Sequence, residues 1–209
     1  MLDRHRHIAY GGARGGGKSW AVRTKAKLLA LRYAGIKLLI VRRTLRELQN
    51  NHIDPLRQEL AGIAKYKAAD KRFEFPNGST MTFGYCACDG DMGQYQGAEY
   101  DVVFLDEAGQ LQKAWIDAIN ACVRGTNGLP KRTYYTLNPG GPGHGYFKRL
   151  FIDRRFEAGE GAGKLQLCAG AGDGQPGRCC ERQPEYLKQL ETLPPKAARG
   201  VAVRVMGCV

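Results

Sequence analysis

The segment Gly12–Ser19 reads GARGGGKS and has the residue types of a phosphate-binding loop. In the pattern G-x-x-x-x-G-K-S, glycines let backbone N–H groups converge on phosphate oxygens, and the following helix directs its positive end at them. Lys18 would add a charge beside the β- and γ-phosphates, and the Ser19 hydroxyl can ligate Mg²⁺. The alternative is a flexible glycine-rich turn, but an apolar segment precedes the loop and a helical pattern follows it. We therefore predict that the following residues bind nucleotide: Gly12, Ala13, Arg14, Gly15, Gly16, Gly17, Lys18 and Ser19.

A second motif, DVVFLDE, ends in the acidic pair Asp106 and Glu107. Its four apolar residues predict a buried strand, and the pair follows the carboxyl end of that strand, where open α/β sheets bind ligands. We expect Asp106 to hold Mg²⁺ directly or through water, and Glu107 to orient and deprotonate an attacking water. Asp106 lies 87 residues after Ser19, which leaves room for an intervening strand, helix and hairpin.

Four further positions are candidates for phosphate chemistry. Thr136 lies near the end of the strand pattern RTYYTL and Asn138 follows it. Both would report on the γ-phosphate if this strand lies between the strand before the glycine loop and the strand before Asp106. The alternative is a turn favoured by Asn-Pro-Gly-Gly. Arg14 in the glycine loop either stabilises charge on the transferring phosphoryl group, pairs with a neighbouring subunit or faces solvent. For His144 we favour a solvated loop histidine over a contact with phosphate or DNA.

The patterns between these motifs alternate between strand and helix. Strands are predicted at 37–42, 101–106 and 132–137, and helices at 18–33, from 43 to about 65 with an interruption at Pro55, and at 110–124. RFEF, PNGS and TMTFGY predict a hairpin over 72–85 around an Asn77-Gly78 turn. The fold class predicted is α/β: a P-loop NTPase with a mainly parallel sheet flanked by helices, plus a β-hairpin insertion.

Composition narrows the class of protein. The chain has 209 residues and a net charge of +12, which favours a polyanionic partner. It shows no apolar run of membrane-spanning length and no apolar signal-peptide core, so we expect a cytoplasmic protein with no membrane partner. Its seven cysteines have no paired C-x-x-C spacing, which favours ordinary reduced thiols over zinc or disulfides.

Taken in this order, the motifs resemble the large terminase subunit of tailed bacteriophages, the ATPase that packages DNA. The resemblance extends over about residues 8–156 and is most specific in GGARGGGKS, IVRRT, FEFPNGSTMTFGY, GQYQGAEYDVVFLDEA and TYYTLNPGGPGHGYFKRLF. It implies a P-loop ATPase that uses ATP and Mg²⁺. By position, it implies that Lys18 and Ser19 are the nucleotide and Mg²⁺ residues, Asp106 the metal-side acid, Glu107 the catalytic carboxylate, Thr136 with Asn138 the coupling motif, and Arg14 the loop arginine.

The resemblance also implies partners. Family members form a homo-oligomeric ring on a portal protein, act with a small terminase subunit, and drive double-stranded DNA into a procapsid in the bacterial host. Most carry a C-terminal nuclease, but no set of acidic residues after position 150 looks like a two-metal site, so we expect no nuclease activity in this chain and interpret it as truncated. Two alternatives stay open: another DNA-dependent P-loop motor of the helicase kind, and an inactive remnant that only binds nucleotide or DNA.

The last part of the chain has a different composition. Residues 157–182 hold seven Gly and three Cys without apolar periodicity, and a helix is predicted near 183–193. We therefore predict a P-loop ATPase domain over 1–156 and an irregular tail over 157–209. Read one nucleotide later, the degenerate codons of residues 197–209 permit LREAWLYGSWDV, and those of residues 162–177 permit PGNYSFVQARVTDNR. Both resemble the family, so we interpret the two stretches as slips of the reading frame and expect residues 161–182 and 197–209 to be mobile and poorly buried.

Overall fold

The computed structural model describes residues 5–11, 17–138, 140–157, 160 and 165–169. Along the chain, the elements in order are β1 (His7–Gly11), α1 (Lys18–Arg32), β2 (Lys37–Arg42), α2 (Leu45–Leu48), a π-helical turn (Gln49–Ile53), α3 (Asp54–Glu59), β3 (Lys65–Lys67), β4 (Arg72–Glu74), β5 (Thr80–Tyr85), a 3-10 helix (Asp89–Tyr95), β6 (Val102–Leu105), a 3-10 turn (Ala108–Gln110), α4 (Lys113–Ala121), β7 (Arg132–Leu137), α5 (His144–Phe147), a second π-helical turn (Lys148–Ile152) and β8 (Leu165–Ala169).

All eight strands belong to one sheet, in the order β3-β4-β5-β2-β6-β7-β1-β8. In this spatial order, every neighbouring pair from β5 through β2, β6, β7 and β1 to β8 is parallel. The β3–β4 and β4–β5 pairs are antiparallel. The predicted α/β class with a mainly parallel sheet is confirmed. Because β7 lies between β6 and β1, the segments that follow these three strands emerge side by side at one edge of the sheet.

Helices cover both faces of the sheet, so the central strands bury side chains on each side. In β6, Val103 and Leu105 face the core that contains α4, while Val102 and Phe104 face the core that contains α1. The first core also takes Trp115, Ile116, Ile119, Phe147 and Phe151, and the second takes Val22, Ala26, Leu29, Leu48, Ile53 and Leu56. None of the helices within the described part of the chain has the length and apolar character needed to cross a membrane.

Two details of the predicted elements between 43 and 85 are wrong. The helical stretch ends at Glu59 rather than near 65, because Gly62 takes a left-handed φ of +76° and the chain then enters β3. Pro55 does not interrupt the helix: the chain stays helical from the π-helical turn Gln49–Ile53 into α3, whose first turn contains Pro55. The predicted hairpin around Gly78 is confirmed: β4 and β5 pair antiparallel, and β5 also pairs in parallel with β2 and so joins the hairpin to the central sheet.

Strand β8 lies beyond residue 156, in the segment for which the sequence predicts no regular element. It pairs with β1 in parallel, with Gly11 opposite Ala169. The prediction of an irregular segment is wrong at these five residues, because the edge of β1 offers unpaired backbone groups to an extended neighbour. Of the two stretches that we interpret as frame slips, 162–177 contains β8, which pairs with β1 although we expected this segment not to pack. The stretch 197–209 and the predicted helix near 183–193 lie outside the described residues, and the domain boundary at 156 stays a prediction.

Candidate active site

The start of α1 brings Ser19 next to Asp106, and these are the two predicted metal ligands. Gly17 precedes the helix with φ +68°, a left-handed conformation that glycine adopts without steric cost. The first turn of α1 then directs the Ser19 hydroxyl at the end of β6, where Oγ donates to Oδ2 of Asp106 over 2.9 Å. Residues 12–16, which include Arg14, lie outside the described residues.

Asp106 is 1% exposed, and donors from four elements surround its carboxylate. Oδ2 accepts from Ser19 and lies 2.8 Å from Nε2 of His52 and 3.6 Å from Nε of Arg42. Oδ1 accepts a 2.5 Å hydrogen bond from Oγ1 of Thr136. Burial alone would raise the pKa of Asp106, but His52, Thr136 and Arg42 together hold that pKa well below its usual range. Since an ionised carboxylate only accepts hydrogen bonds, His52 carries a proton on Nε2.

Glu107 adopts a strained backbone that fixes where its side chain points. Its φ of +54° and ψ of 43° lie in the left-handed region, which non-glycine residues adopt at a cost of about 1 kcal/mol or more. Its N–H donates to Oγ1 of Thr136 over 2.8 Å. Oε1 lies 2.6 Å from Nη2 of Arg42, and Oε2 accepts from Nε2 of Gln110 over 2.5 Å. The side chain is nevertheless 25% exposed, so water can reach the carboxylate.

Lys18 lies at the same edge of the sheet and is 8% exposed. Burial lowers the pKa of Lys18, and the charges of Asp106 and Glu107 partly oppose that change. The structure thus brings together Lys18, Ser19, Asp106, Glu107 and Thr136, which were predicted from three separate sequence motifs.

The segment after β7 packs on the turn that follows Glu107. The N–H of Gly143 donates to the carbonyl of Gly109 over 2.9 Å. At the end of β7, Oδ1 of Asn138 is buried and has no hydrogen-bond partner among the described residues. His144 is exposed, as predicted, but it is the first residue of α5 rather than a loop residue, and its Nδ1 accepts a 3.4 Å hydrogen bond from the N–H of Gly140.

Sequence reasoning missed three residues of this site: Arg42, His52 and Gln110. Arg42 ends a strand in the motif IVRRT, where a terminal arginine normally faces solvent, yet it is 5% exposed. Gln110 lies three residues after Glu107, a spacing at which side chains meet in a helical turn, and this signal was available. No local pattern singled out His52, because its contact with Asp106 depends on how the elements pack.

Comparisons with known proteins agree with the predicted family. A sequence profile described as phage terminase large subunit matches residues 4–166. No curated protein matches the chain.

Solved structures show the same fold. The large terminase from a thermophilic bacteriophage, in complex with ADP, has a TM-score of 0.68 at 17% identity, over 88% of this chain and 44% of that chain. The ATPase domain of the Thermus phage P74-26 large terminase has a TM-score of 0.64 at 15% identity, over 93% and 86% respectively. For the N-terminal domain of the DNA packaging ATPase from bacteriophage phi29 the TM-score is 0.55 at 17% identity, over 83% and 93%. The chain therefore spans less than half the length of the first of these three proteins.

Proposed function

Because the chain belongs to the phage terminase large subunit family, we propose that it is the ATPase part of a DNA-packaging motor. The reaction is hydrolysis of ATP by in-line attack of water on the γ-phosphate. The relative from the thermophilic bacteriophage was solved with ADP and also with ATP-γ-S, and both are nucleotides that a site of this kind would accommodate.

The observation that carries this proposal is the 2.9 Å hydrogen bond from Ser19 to Asp106. Mg²⁺ prefers oxygen ligands, and this pair offers a hydroxyl and an ionised carboxylate side by side at the start of a helix. The residues present therefore fit a Mg²⁺ ion, with Ser19 and Asp106 as the groups that hold it. When bound, Mg²⁺ would neutralise charge on the phosphates. Lys18 follows the glycine loop and would add its own charge at the same phosphates.

Glu107 is the residue that we assign as general base. Its carboxylate is accessible to water, and it can orient the attacking molecule and accept its proton. Arg42 and Gln110 each occupy one of its two oxygens, so the carboxylate is held in one direction before substrate arrives. This arrangement provides the positioning on which phosphoryl transfer mainly depends.

Thr136 and Asn138 are the residues that we assign to coupling between phosphate and the rest of the domain. Thr136 contacts both acidic residues, since it donates to Asp106 and accepts from the N–H of Glu107. The buried Oδ1 of Asn138 is an acceptor without a hydrogen-bond partner among the described residues, and a donor at the reacting centre would satisfy it. Arg14 would stabilise charge on the transferring phosphoryl group from the glycine loop.

The partners follow from the family. We propose that the chain acts as a homo-oligomeric ring with a portal protein and a small terminase subunit on double-stranded DNA. The net charge of +12 supports binding to phosphates without reading of base sequence. DNA affinity should therefore fall steeply between about 50 and 200 mM salt, since contact with several phosphates makes binding salt-dependent.

ATP turnover by the purified chain tests the catalytic assignment. Glu107→Gln should bind ATP but hydrolyse it on the order of a hundredfold more slowly, because the amide cannot accept the proton. Lys18→Ala should weaken nucleotide binding itself. Glu99→Gln and Lys65→Ala are matched controls, since both residues are exposed: Glu99 precedes β6, at the end of that strand opposite to Asp106, and Lys65 belongs to β3. Wild-type turnover by Glu107→Gln would contradict the assignment.

Two alternative functions give different results in simple assays. A helicase-like motor should unwind a duplex that has a single-stranded overhang, whereas a packaging motor should not. A remnant that only binds nucleotide or DNA should show no turnover in the wild-type chain. The position of Glu107 between Arg42 and Gln110 favours a working ATPase over the remnant. The family match over residues 4–166 favours the packaging motor over the helicase-like motor.

A further inference from the structure

A π-helical turn directs His52 at the candidate metal ligand Asp106. The path from Leu45 to Glu59 is helical throughout, with the wider turn Gln49–Ile53 in its middle. Such turns occur mostly as single insertions and are frequent at functional sites. His52 is 0% exposed, and its Nε2 lies 2.8 Å from Oδ2 of Asp106.

The same helical path is fastened to the helix that carries Ser19. Arg23 on α1 donates through Nη1 to the carbonyl of Asn51 over 2.6 Å, and its Nε lies 3.3 Å from Oε1 of Glu59. These contacts join α1 to the π-helical turn and to α3. The Ser19 hydroxyl and the His52 imidazole are therefore held in fixed relative positions.

Packing alone does not explain a histidine at this position. Among the described residues, Nδ1 of His52 is buried and has no hydrogen-bond partner. An unpaired buried polar atom is unfavourable, and an apolar side chain of similar size would avoid that cost. The hydrogen bond through Nε2 is the contact that offsets it, and its acceptor is the oxygen of Asp106 that also accepts from Ser19.

We propose that His52 is a positioning residue that holds Oδ2 of Asp106 beside the Ser19 hydroxyl and thereby strengthens Mg²⁺ binding with nucleotide. The inference rests on the proposed ATPase function. His52 touches neither the metal nor the nucleotide in this assignment, and it acts only through Asp106. Groups that orient a metal ligand typically contribute about tenfold to a hundredfold in metal affinity.

Titration of the full chain with ADP, in Mg²⁺ and in EDTA, measures this contribution without any turnover. The readout is the factor by which Mg²⁺ tightens ADP binding. His52→Gln keeps an N–H donor at the distance of Nε2 from the backbone, whereas the amide of His52→Asn reaches only as far as Nδ1. We expect the asparagine variant to lose about tenfold or more of the Mg²⁺ factor and the glutamine variant to retain most of it. Ile53→Val is the matched control, since it perturbs the same turn at an apolar side chain that lies in the core containing α1.

Each result has one interpretation. A wild-type Mg²⁺ factor in His52→Asn, or an equal loss in His52→Gln and His52→Asn, would overturn the proposal, because Nε2 would then not be the group that matters. If His52→Asn unfolds, His52→Leu takes its place in the comparison with His52→Gln, because leucine also has no donor at the position of Nε2. A wild-type chain whose ADP binding does not respond to Mg²⁺ would contradict the proposed function instead.

Discussion

Nη2 of Arg42 lies 2.6 Å from Oε1 of Glu107, where the neighbouring strands β2 and β6 end. The Arg42 side chain is 6% exposed, and its Nε also lies 3.6 Å from Asp106. Its guanidinium is therefore a buried cation between two carboxylates. We predict that Arg42→Ala lowers the free energy of unfolding by about 3 kcal/mol, because removal of one partner leaves buried charge uncompensated. Denaturant unfolding measures the change.

The control for this prediction is a double-mutant cycle. Arg42→Ala should cost less in a Glu107→Gln background, since the carboxylate that it leaves unpaired is then absent. Arg43→Ala, at the exposed next position, should change stability little. An equal cost of Arg42→Ala in both backgrounds would show that the contact with Glu107 contributes nothing.

Thr136 provides a second prediction, because one hydroxyl connects both acidic residues. We expect Thr136→Val to lower stability by about 1–3 kcal/mol, since it leaves the N–H of Glu107 and one oxygen of Asp106 without their partner. ATP turnover should fall as well, and Thr136→Ser should restore both properties. Denaturant unfolding and a phosphate-release assay measure the two effects. A valine variant with normal turnover would remove Thr136 from the coupling motif.

Much of the fold could be predicted because it depends on local pattern. The strands at 37–42 and 132–137 occur with the predicted bounds, since each is an apolar or β-branched run between turn residues. The 110–124 helix is shorter, at Lys113–Ala121, because residues 108–110 form a 3-10 turn on which the segment after β7 packs. Strand β8 could not be predicted, since five residues of weak pattern become a strand only beside β1.

The residues of the candidate site also fall into two groups: those that belong to a local motif, and those that reach the site only through tertiary packing. Lys18, Ser19 and Asp106 belong to motifs whose spacing is set by local chemistry, so the sequence was enough to find them. His52 reaches Asp106 across 54 residues, and it does so only because a π-helical turn packs against α1. A single sequence carries no periodic signal for such a contact.

Gly143 provides a third prediction, because it lies against the backbone that follows Glu107. A Cβ there would lie 2.6 Å from the carbonyl oxygen of Leu111, although the φ of Gly143 is an ordinary −81°. We predict that Gly143→Ala lowers stability by about 1–3 kcal/mol and reduces ATP turnover, since the turn that carries Gln110 must shift. Thermal unfolding and phosphate release measure both. Gly145→Ala is the matched control, because nothing lies within 4 Å of its Cβ, and it should be neutral or stabilising.

Glu59 provides the last prediction, which concerns pH. Burial alone would raise the pKa of Glu59, but Lys27 and Arg23 lower it below its usual value of 4.5. The Glu59 carboxylate therefore binds its proton more weakly in the folded state than in the unfolded state. Its contacts with Lys27 and Arg23 stabilise the fold above about pH 4.5. That stabilisation is lost as the pH falls through the lowered pKa. We predict that Glu59→Gln lowers the unfolding temperature at pH 7 by about 2 °C, and that the difference from wild type shrinks as the pH falls below about 4.5. Lys27→Met should reproduce part of this pH dependence. A deficit of the same size at pH 7 and pH 3 would show that the carboxylate's charge is not its source.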